Sequence, residues 1–307
     1  MTDRQTDRTV TILLATRNGA AWLPAQLDSL LAQTHGDWRL WVSDDGSGDG
    51  TPALLAAFAA AHPGRVRLFR GPGRGSAANF LTLLCHPDLP PGPVAFCDQD
   101  DVWLRGKLAR ALRRMPPGPV PALYAAGTCI TDRALRPRRR LCRPAHRAGF
   151  ANALVQNLCP GHTILLNPAA VALARRAGAP PGVAFADWWL YQLVTGAGGR
   201  CHIDPLPMAR YRQHGGNEVG AGGLSGVLWR AIRVLRRDYR RWQEAHHRAL
   251  RGVAPLLTPA ARAALTALDG SAPAGPGRLW SYLSLGLRRA TRAGTAALWL
   301  SALLGRA

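Results

Sequence analysis

From Val10 onward the chain alternates two hydrophobic textures. "VTILLA" is a short β-branched apolar run, the pattern of a strand buried on both faces. "AWLPAQLDSLLAQ" then sets Trp22, Leu23, Leu27, Leu30 and Leu31 along one stripe at helical spacing. The alternation repeats. "WRLWVSD" reads as a strand, "TPALLAAFAAAH" as a helix with Thr51 as N-cap and Pro52 in its first turn, and "VRLFRG" as a strand. "SAANFLTLLC" reads as a helix and "GPVAFCD" as a strand. Alternation of this kind predicts an α/β fold with a mostly parallel sheet covered on both faces. In such sheets ligands sit at the carboxyl ends of the strands. Two acidic clusters fall there: "SDDGSGDG" after one strand and "FCDQDDVWL" around the end of another.

Beyond Asp101 the order loosens. "ALYAAGTCI" and "HTILLN" read as strands separated by the basic stretch "RALRPRRRLCRPAHR". "DWWLYQLVTG" reads as a helix, and "MARYRQHGGN" as a strand entering a glycine-rich loop. Near Gly220 the composition changes: residues 224–307 hold 14 arginines, no lysine and only Asp238, Glu244 and Asp269 as acids. The "GAGG" of 220–223 therefore marks a boundary between a unit spanning 1–223 and a basic helical extension spanning 224–307. In that extension Leu224, Val227, Leu228, Ile232, Leu235, Tyr239 and Trp242 recur at helical spacing, with Arg230, Arg233, Arg237, Arg240 and Arg241 mostly on other faces. Trp280, Tyr282 and Trp299, with Arg288, Arg289 and Arg292 between them, continue the theme. Basic amphipathic helices with aromatic residues suit an anionic membrane surface. The same pattern also serves helices that pack on the first unit or form a homodimer interface.

A chain of 307 residues, 47% hydrophobic, has enough apolar content for one large core or two smaller ones. The net charge of +21 is carried almost wholly by arginine, since Lys107 is the only lysine. Such a balance predicts an anionic partner: nucleic acid, a lipid surface or a phosphorylated substrate. The six cysteines are scattered, without Cys-x-x-Cys pairs or metal-ligand spacing, which fits reduced residues in a cytosolic compartment. The N-terminal "MTDRQTDRTV" lacks the apolar segment of a secretory signal. The C-terminal apolar run "AGTAALWLSALLG" falls short of the roughly 20 residues that span a bilayer.

The chemistry concentrates in the acidic clusters. Asp98, Asp100 and Asp101 lie so close that their charges repel and raise one another's pKa, which calls for a cation. Asp98-x-Asp100 at a strand end offers hard oxygen ligands to Mg²⁺ or Mn²⁺, which complete their shells with water and substrate phosphates. Two plainer readings stand beside this one. "VSDDGSGDGT" is also what a solvated turn capping the next helix looks like, and Asp101 also suits the N-cap of a helix over "VWLRGKLARAL".

Taken together, "ATRNGAAWLPAQLDSLLAQTHGDWRLWVSDDGSGDGT" and "FCDQDDVWLRGKL" resemble the nucleotide-sugar-binding half of family-2 glycosyltransferases of bacterial polysaccharide assembly, nearest the rhamnosyltransferase-like branch. "QNLCPGHTILLN", "FADWWL" and "YRQHGGN" extend the resemblance over roughly residues 9–220. It implies a GT-A fold. It also implies an inverting transfer from a UDP- or dTDP-linked sugar to a glycan or lipid-linked acceptor. Carried over by position, Ala15, Thr16, Arg17 and Asn18 line the nucleotide pocket, and Asp45, with Asp44 beside it, meets the pyrimidine base. Arg74 and Asn79 contact the nucleotide, Asp98 faces the ribose, and Asp100 holds the metal between the phosphates. His214 closes the metal shell.

The resemblance gives Asp187 the role of base toward the acceptor hydroxyl, with Trp188 and Trp189 desolvating it. Many relatives carry an acidic pair there, whereas Ala186 precedes Asp187 here. A bland reading makes Asp187 an N-cap and the tryptophans ordinary core. Asp101, Gln156, Asn157, His162 and Trp188 fall near the donor or acceptor sugar, and "RPRRR" at 136–140 is a solvated loop or a contact for an acceptor diphosphate. Two rival readings remain at this point. Asp98-x-Asp100-x-Val102 also fits haloacid-dehalogenase-like phosphatases with Asp98 as nucleophile, although that motif normally opens the first strand. The charge fits a nucleic-acid binder, although such proteins seldom need two acidic clusters at strand ends. The overall expectation is a cytoplasmic transferase, peripheral on the inner face of the plasma membrane and not engaged with nucleic acid.

Overall fold

The computed structural model describes residues 9–116, 118–214 and 238–305. The boundary expected at 220–223, and the apolar stripe from Leu224 to Leu235, lie outside these residues. A nine-stranded sheet forms the centre. Its first half comprises β1 (Val10–Thr16), β2 (Trp38–Asp44), β3 (Val66–Arg70) and β4 (Val94–Asp98). They run parallel in the order β3-β2-β1-β4. The second half is mixed, with β5 (Val102–Trp103), β6 (Ala122–Thr131), β7 (Pro137–Leu141), β8 (Leu165–Leu166) and β9 (Arg200–Arg212). It continues β8-β6-β9-β5, with β7 paired to β6. The helices are α1 (Leu23–Leu31), α2 (Thr51–Ala61), α3 (Ser76–Leu84), α4 (Lys107–Arg114), α5 (Phe150–Ala153), α6 (Pro168–Ala177) and α7 (Ala186–Gly196). They are followed by α8 (Asp238–Gly252), α9 (Pro259–Asp269), α10 (Pro276–Ser284) and α11 (Arg292–Leu303).

The period-2 geometry of β1 sorts its side chains between two cores. Val10, Ile12 and Leu14 join Leu23, Leu27 and Leu30 of α1 on one face of the sheet. Leu13 and Ala15 join Phe80, Phe96 and α7 on the other. Burial on both sides is why this strand reads as an unbroken apolar run. The α1 stripe departs from expectation at both ends. Leu31 is exposed, and Trp22 precedes the helix and stacks on His214 at 4.8 Å.

Other local readings also shift. Helix α2 begins at Thr51 with Gly50 in the cap position, and the Thr51 hydroxyl instead accepts from the Gly19 N–H. Asp101 caps no helix, because Val102 and Trp103 pair antiparallel with Arg210 and Ala209 of β9 and α4 starts only at Lys107. The expected loop "RPRRR" is largely an exposed edge strand, β7, held by pairing with β6. A run of arginines hides its strand character from a hydrophobicity pattern, while charge on an edge strand discourages further pairing.

The C-terminal helices belong to the same apolar core as α7: Leu250, Leu257, Leu265, Tyr282 and Leu298 are buried in it. Tyr239 and Trp242, expected on a membrane-facing stripe, point inward. Tyr239 stacks on Trp188 at 5.8 Å and donates its hydroxyl to the Val155 carbonyl, and Trp242 meets Phe185 edge-on at 4.9 Å. Of the open alternatives, packing on the first unit is the one observed for α8. No helix among the described residues is long and apolar enough to cross a membrane.

Two histidines in this seam should make the fold acid-labile. His246 Nδ1 donates to Gln192 Oε1 at 3.0 Å while Nε2 accepts from the Phe185 N–H, and His247 Nε2 donates to the Leu154 carbonyl. Burial pushes His246 down to about 3 and His247 to about 4, from 6.5. As pH falls from 6.5 toward 4, the unfolded chain binds protons that the folded chain refuses. Stability is therefore lost on acidification, by about 1.4 kcal/mol per pH unit for each histidine. A melting temperature that falls from pH 7 to pH 5, with a shallower fall in His247→Gln, is the expected result. Equal melting at both pH values would rule out this packing.

Candidate active site

The site forms where β1, β2 and β4 end together. Thr16 lies opposite Asp44, and Ala15 opposite Asp98. Beyond these ends two loops interlock. Asn18, in the left-handed region at φ 51°, accepts the Gly48 N–H on its side chain, while its own N–H donates to Ser47 Oγ at 2.8 Å. Asp44 receives the Ser47 hydroxyl and N–H, and Asp49 receives the N–H groups of Ala20 and Thr51. The "SDDGSGDG" segment is thus a hydrogen-bonded frame whose outer residues stay in solvent and whose Asp49 accepts the N–H that opens α2, as the reading of a capping turn expects.

Asp45 and Asn79 are both buried. The Asp45 oxygens accept the Gly73 and Gly75 N–H groups at 2.7 and 2.8 Å, so this carboxylate shapes the loop that carries exposed Arg74. Asn79 Nδ2 donates to the Ser43 carbonyl behind it. The residues assigned to the nucleotide therefore come together at one end of the sheet, with Asp45 and Asn79 as its supporting wall. Gly71 makes this close approach possible: a Cβ there would lie 2.6 Å from Asp45 Oδ1 and 2.8 Å from Asp45 Cα. Gly71→Ala should therefore cost about 1–3 kcal/mol in urea unfolding, as overpacking against backbone does. Wild-type stability in that variant would mean that the loop relaxes freely.

The second acidic cluster meets residues from distant strands. Gln99 was not marked by sequence reasoning, yet its side chain holds the end of β1. It accepts from the Thr16 hydroxyl at 2.5 Å and the Arg17 N–H at 2.9 Å, and donates to the Arg17 carbonyl. Asp100 Oδ2 lies 2.7 Å from His214 Nε2, bringing together two of the three expected metal ligands from positions 114 residues apart. Arg212 Nε donates to the Asp100 carbonyl, and its N–H to Asp101 Oδ1.

Asp101 is fully buried, and Oδ2 has no hydrogen-bond partner among the described residues. Burial, with the charges of Asp100 and Asp98, holds its carboxyl well above the usual carboxylate range. His162 Nδ1 lies 3.6 Å from that orphaned oxygen, and its Nε2 is 2.9 Å from Thr128 Oγ1. Burial and the positive charges of Lys107 and Arg143 push His162 down to about 3, so it is neutral and free to ligate. Asp98, Asp101 and His162 hold ligand atoms within 4.8 Å of one another, a second candidate set in which sequence reasoning expected only Asp98 at the metal and placed Asp101 and His162 near the sugars. Two carboxylates, one with an orphaned oxygen, and an imidazole suit a divalent cation such as Mg²⁺ or Mn²⁺.

Lys107, the sole lysine, lies beneath this cluster. Its Nζ donates to the His162 carbonyl at 2.7 Å and sits 3.2 Å from the centroid of the Trp103 ring. Burial outweighs the nearby acids and brings it to about 7. Its uniqueness among the basic residues was the one signal that could have drawn attention to it.

The turn at residues 160–163 links this cluster to Asp187. Gly161 N–H donates to Asp187 Oδ2 at 2.8 Å, and the next residue is His162. Asp187 sits in the first turn of α7, where Oδ1 accepts the Trp188 N–H, while Phe185 occupies the cap position. Trp188 and Trp189 are core residues, and Trp188 Nε1 donates to the Ala153 carbonyl. Asn157 accepts the Cys159 N–H and so shapes the same turn. Gln156 points the other way: its Oε1 accepts the Ala290 N–H from the C-terminal helices.

The family model for Glycosyl transferase family 2 matches residues 11–170, more than half of the chain. The chain belongs to that family. The transferase is 24% identical over 240 residues to the dTDP-rhamnosyl transferase RfbG of Shigella flexneri, covering 74% of this chain and 81% of that one. It is 27% identical over 130 residues to the UDP-Glc:alpha-D-GlcNAc-diphosphoundecaprenol beta-1,3-glucosyltransferase WfgD of Escherichia coli, covering 42% of this chain and 49% of that one. Among solved structures it resembles the mannosyltransferase PcManGT from Pyrobaculum calidifontis, in complex with GDP-Man and Mn²⁺. There the TM-score is 0.52 at 20% identity, over 95% of this chain and 86% of that one. It also resembles TarS 1-349 of S. aureus in complex with UDP-GlcNAc, with a TM-score of 0.54 at 12% identity, over 85% of this chain and 87% of that one. The transferase has the GT-A fold, and the phosphatase reading of Asp98 falls with that assignment.

Proposed function

We propose that the protein is an inverting, metal-dependent glycosyltransferase of cell-surface polysaccharide synthesis. In this reading it moves rhamnose or a related sugar from a dTDP- or UDP-linked donor to a hydroxyl of a glycan or lipid-linked acceptor. One observation carries this reading: a single turn, 160–163, connects the acidic cluster at the end of β4 with Asp187 at the start of α7. A leaving-group site and a proton acceptor thereby share one rigid element.

The frame of Thr16, Arg17, Asn18 and Asp44, with Asp45 behind Arg74, orients the nucleoside. Asp98, Asp100 and His214 are the residues that would hold the cation, with Asp98, Asp101 and His162 as the alternative set. When bound, the cation supplies neutralisation of charge on the diphosphate leaving group. Asp187 takes the proton of the acceptor hydroxyl. The acceptor oxygen bonds to the anomeric carbon as the bond from that carbon to the phosphate oxygen breaks, which inverts the centre in one displacement. Similarity to RfbG favours rhamnose and dTDP. The basic, partly apolar C-terminal helices favour a cytoplasmic protein held on the inner face of the membrane.

The test is a thermal-shift screen of nucleoside diphosphates and their sugars with and without Mn²⁺. At a hundredfold excess over Kd, binding adds about 2.7 kcal/mol, a shift of several degrees. A Mn²⁺-dependent shift with dTDP or UDP is expected. Indifference to every nucleotide, together with DNA binding that weakens steeply with salt, would replace this reading with the nucleic-acid one.

A further inference from the structure

Two cysteines that stand 42 positions apart in the chain meet in the fold. Cys159 Sγ lies 3.4 Å from Cys201 Sγ, and both are free thiols. A disulfide sets its sulfurs about 2.05 Å apart, so roughly 1.4 Å remains to be closed, a gap on the scale of a modest side-chain rotation. Their exposure differs. Cys159 is fully enclosed, whereas Cys201, near the start of β9, is half-buried. Burial, and then the neighbouring Cys201, hold the Cys159 thiol well above the usual thiol range. An oxidant from solvent therefore meets Cys201 first, with Cys159 in place behind it as the resolving partner.

Position gives the pair its consequence. Cys201 lies opposite Leu123 in the ladder between β9 and β6, so the sheet holds its backbone. Cys159 donates its N–H to Asn157 Oδ1 and directly precedes the 160–163 turn. In that turn the Gly161 N–H reaches Asp187, and the His162 carbonyl accepts from Lys107 Nζ. A bond between the two sulfurs would tie the turn to the sheet. Cys142, the exposed cysteine, lies apart from them with its thiol on the Pro205 carbonyl.

We propose that Cys159 and Cys201 form a redox-active dithiol whose closure to a disulfide latches the 160–163 turn to β9. With hydrogen peroxide as the oxidant, the Cys201 thiolate attacks one peroxide oxygen and the O–O bond breaks. Cys201 becomes a sulfenic acid, and the departing hydroxide takes up the thiol proton as water. The Cys159 thiol then bonds to that sulfur, gives up its proton and expels the hydroxyl as a second water. Two electrons pass from the thiols to the peroxide, and dithiothreitol returns them. The latch is independent of which sugar is transferred.

The test treats the full chain with hydrogen peroxide in slight excess and digests it without reductant. The intact mass should fall by two hydrogens, a peptide should join Cys159 to Cys201, and dithiothreitol should reverse both. Amide exchange at Gly161 and Thr163 should slow at least about tenfold in the oxidised protein, because a cross-linked turn opens less often. Neither change should occur in Cys201→Ser or Cys159→Ala, and Cys142→Ser should behave as wild type. Oxidation that stops at a sulfinic acid on Cys201, or that joins two chains through Cys142, would overturn the dithiol. A Cys159–Cys201 peptide with unchanged exchange at Gly161 would overturn the latch. Mn²⁺-dependent binding of dTDP or UDP by the reduced protein reports on the transferase reading separately, so failure of either is recognisable by itself.

Discussion

Replacing Asp187 by asparagine should lower kcat at least about a hundredfold and leave donor binding nearly unchanged, the signature of losing a general base. The carboxylate is fixed by two N–H groups, from Gly161 and Trp188, which hold it in place at the start of α7. Asparagine preserves its size and removes its basicity. The acidic limb of the kcat/KM profile should vanish in the variant, an outcome that a purely structural role would not produce. His162, on the same turn, is a poor substitute because burial holds it near 3. Turnover close to wild type would move the base elsewhere and separate Asp187 from the chemistry.

Asp100→Asn should lose most metal-dependent nucleotide affinity, more than about a hundredfold, since even indirect disturbance of metal ligands costs ten- to a hundredfold. Titration of Mn²⁺ in the presence of dTDP or UDP reads the effect. Asp101→Asn is the informative companion, because Asp101 carries the orphaned buried oxygen and Asp100 the contact to His214. Loss confined to Asp100→Asn places the cation on the outer set of Asp98, Asp100 and His214. Loss confined to Asp101→Asn places it on the inner set with His162. Undiminished affinity in both would remove the metal assignment.

Much of the parallel half was legible in the chain because burial on both faces leaves its mark in every residue. β1, α3 and β4 appear as local runs whose period needs no partner to be recognised. The acidic clusters were legible for the same reason: parallel strands deliver their ends to one side, so an acid after an apolar run is already placed. β5 and β7 were not legible. Two residues of "VW" and a string of arginines become strands only through pairing with β9 and β6. The α8 stripe was visible, but its destination was not. An amphipathic face states that something covers it and not what does, and here the cover is α7 and the Val155 carbonyl.

By itself, the order of residues determined the α/β class and the strand ends that bear acids, and it raised the expectation of a cation beside three close carboxylates. Tertiary structure alone decided which oxygen is left without a partner, which histidine faces which aspartate, and that the turn carrying His162 also holds Asp187. Periodicity and capping act over a few residues, and the sequence records them directly. Desolvation and charge depend on what surrounds a group in space, and His214 and Asp100 become neighbours only after 114 residues of chain have folded between them.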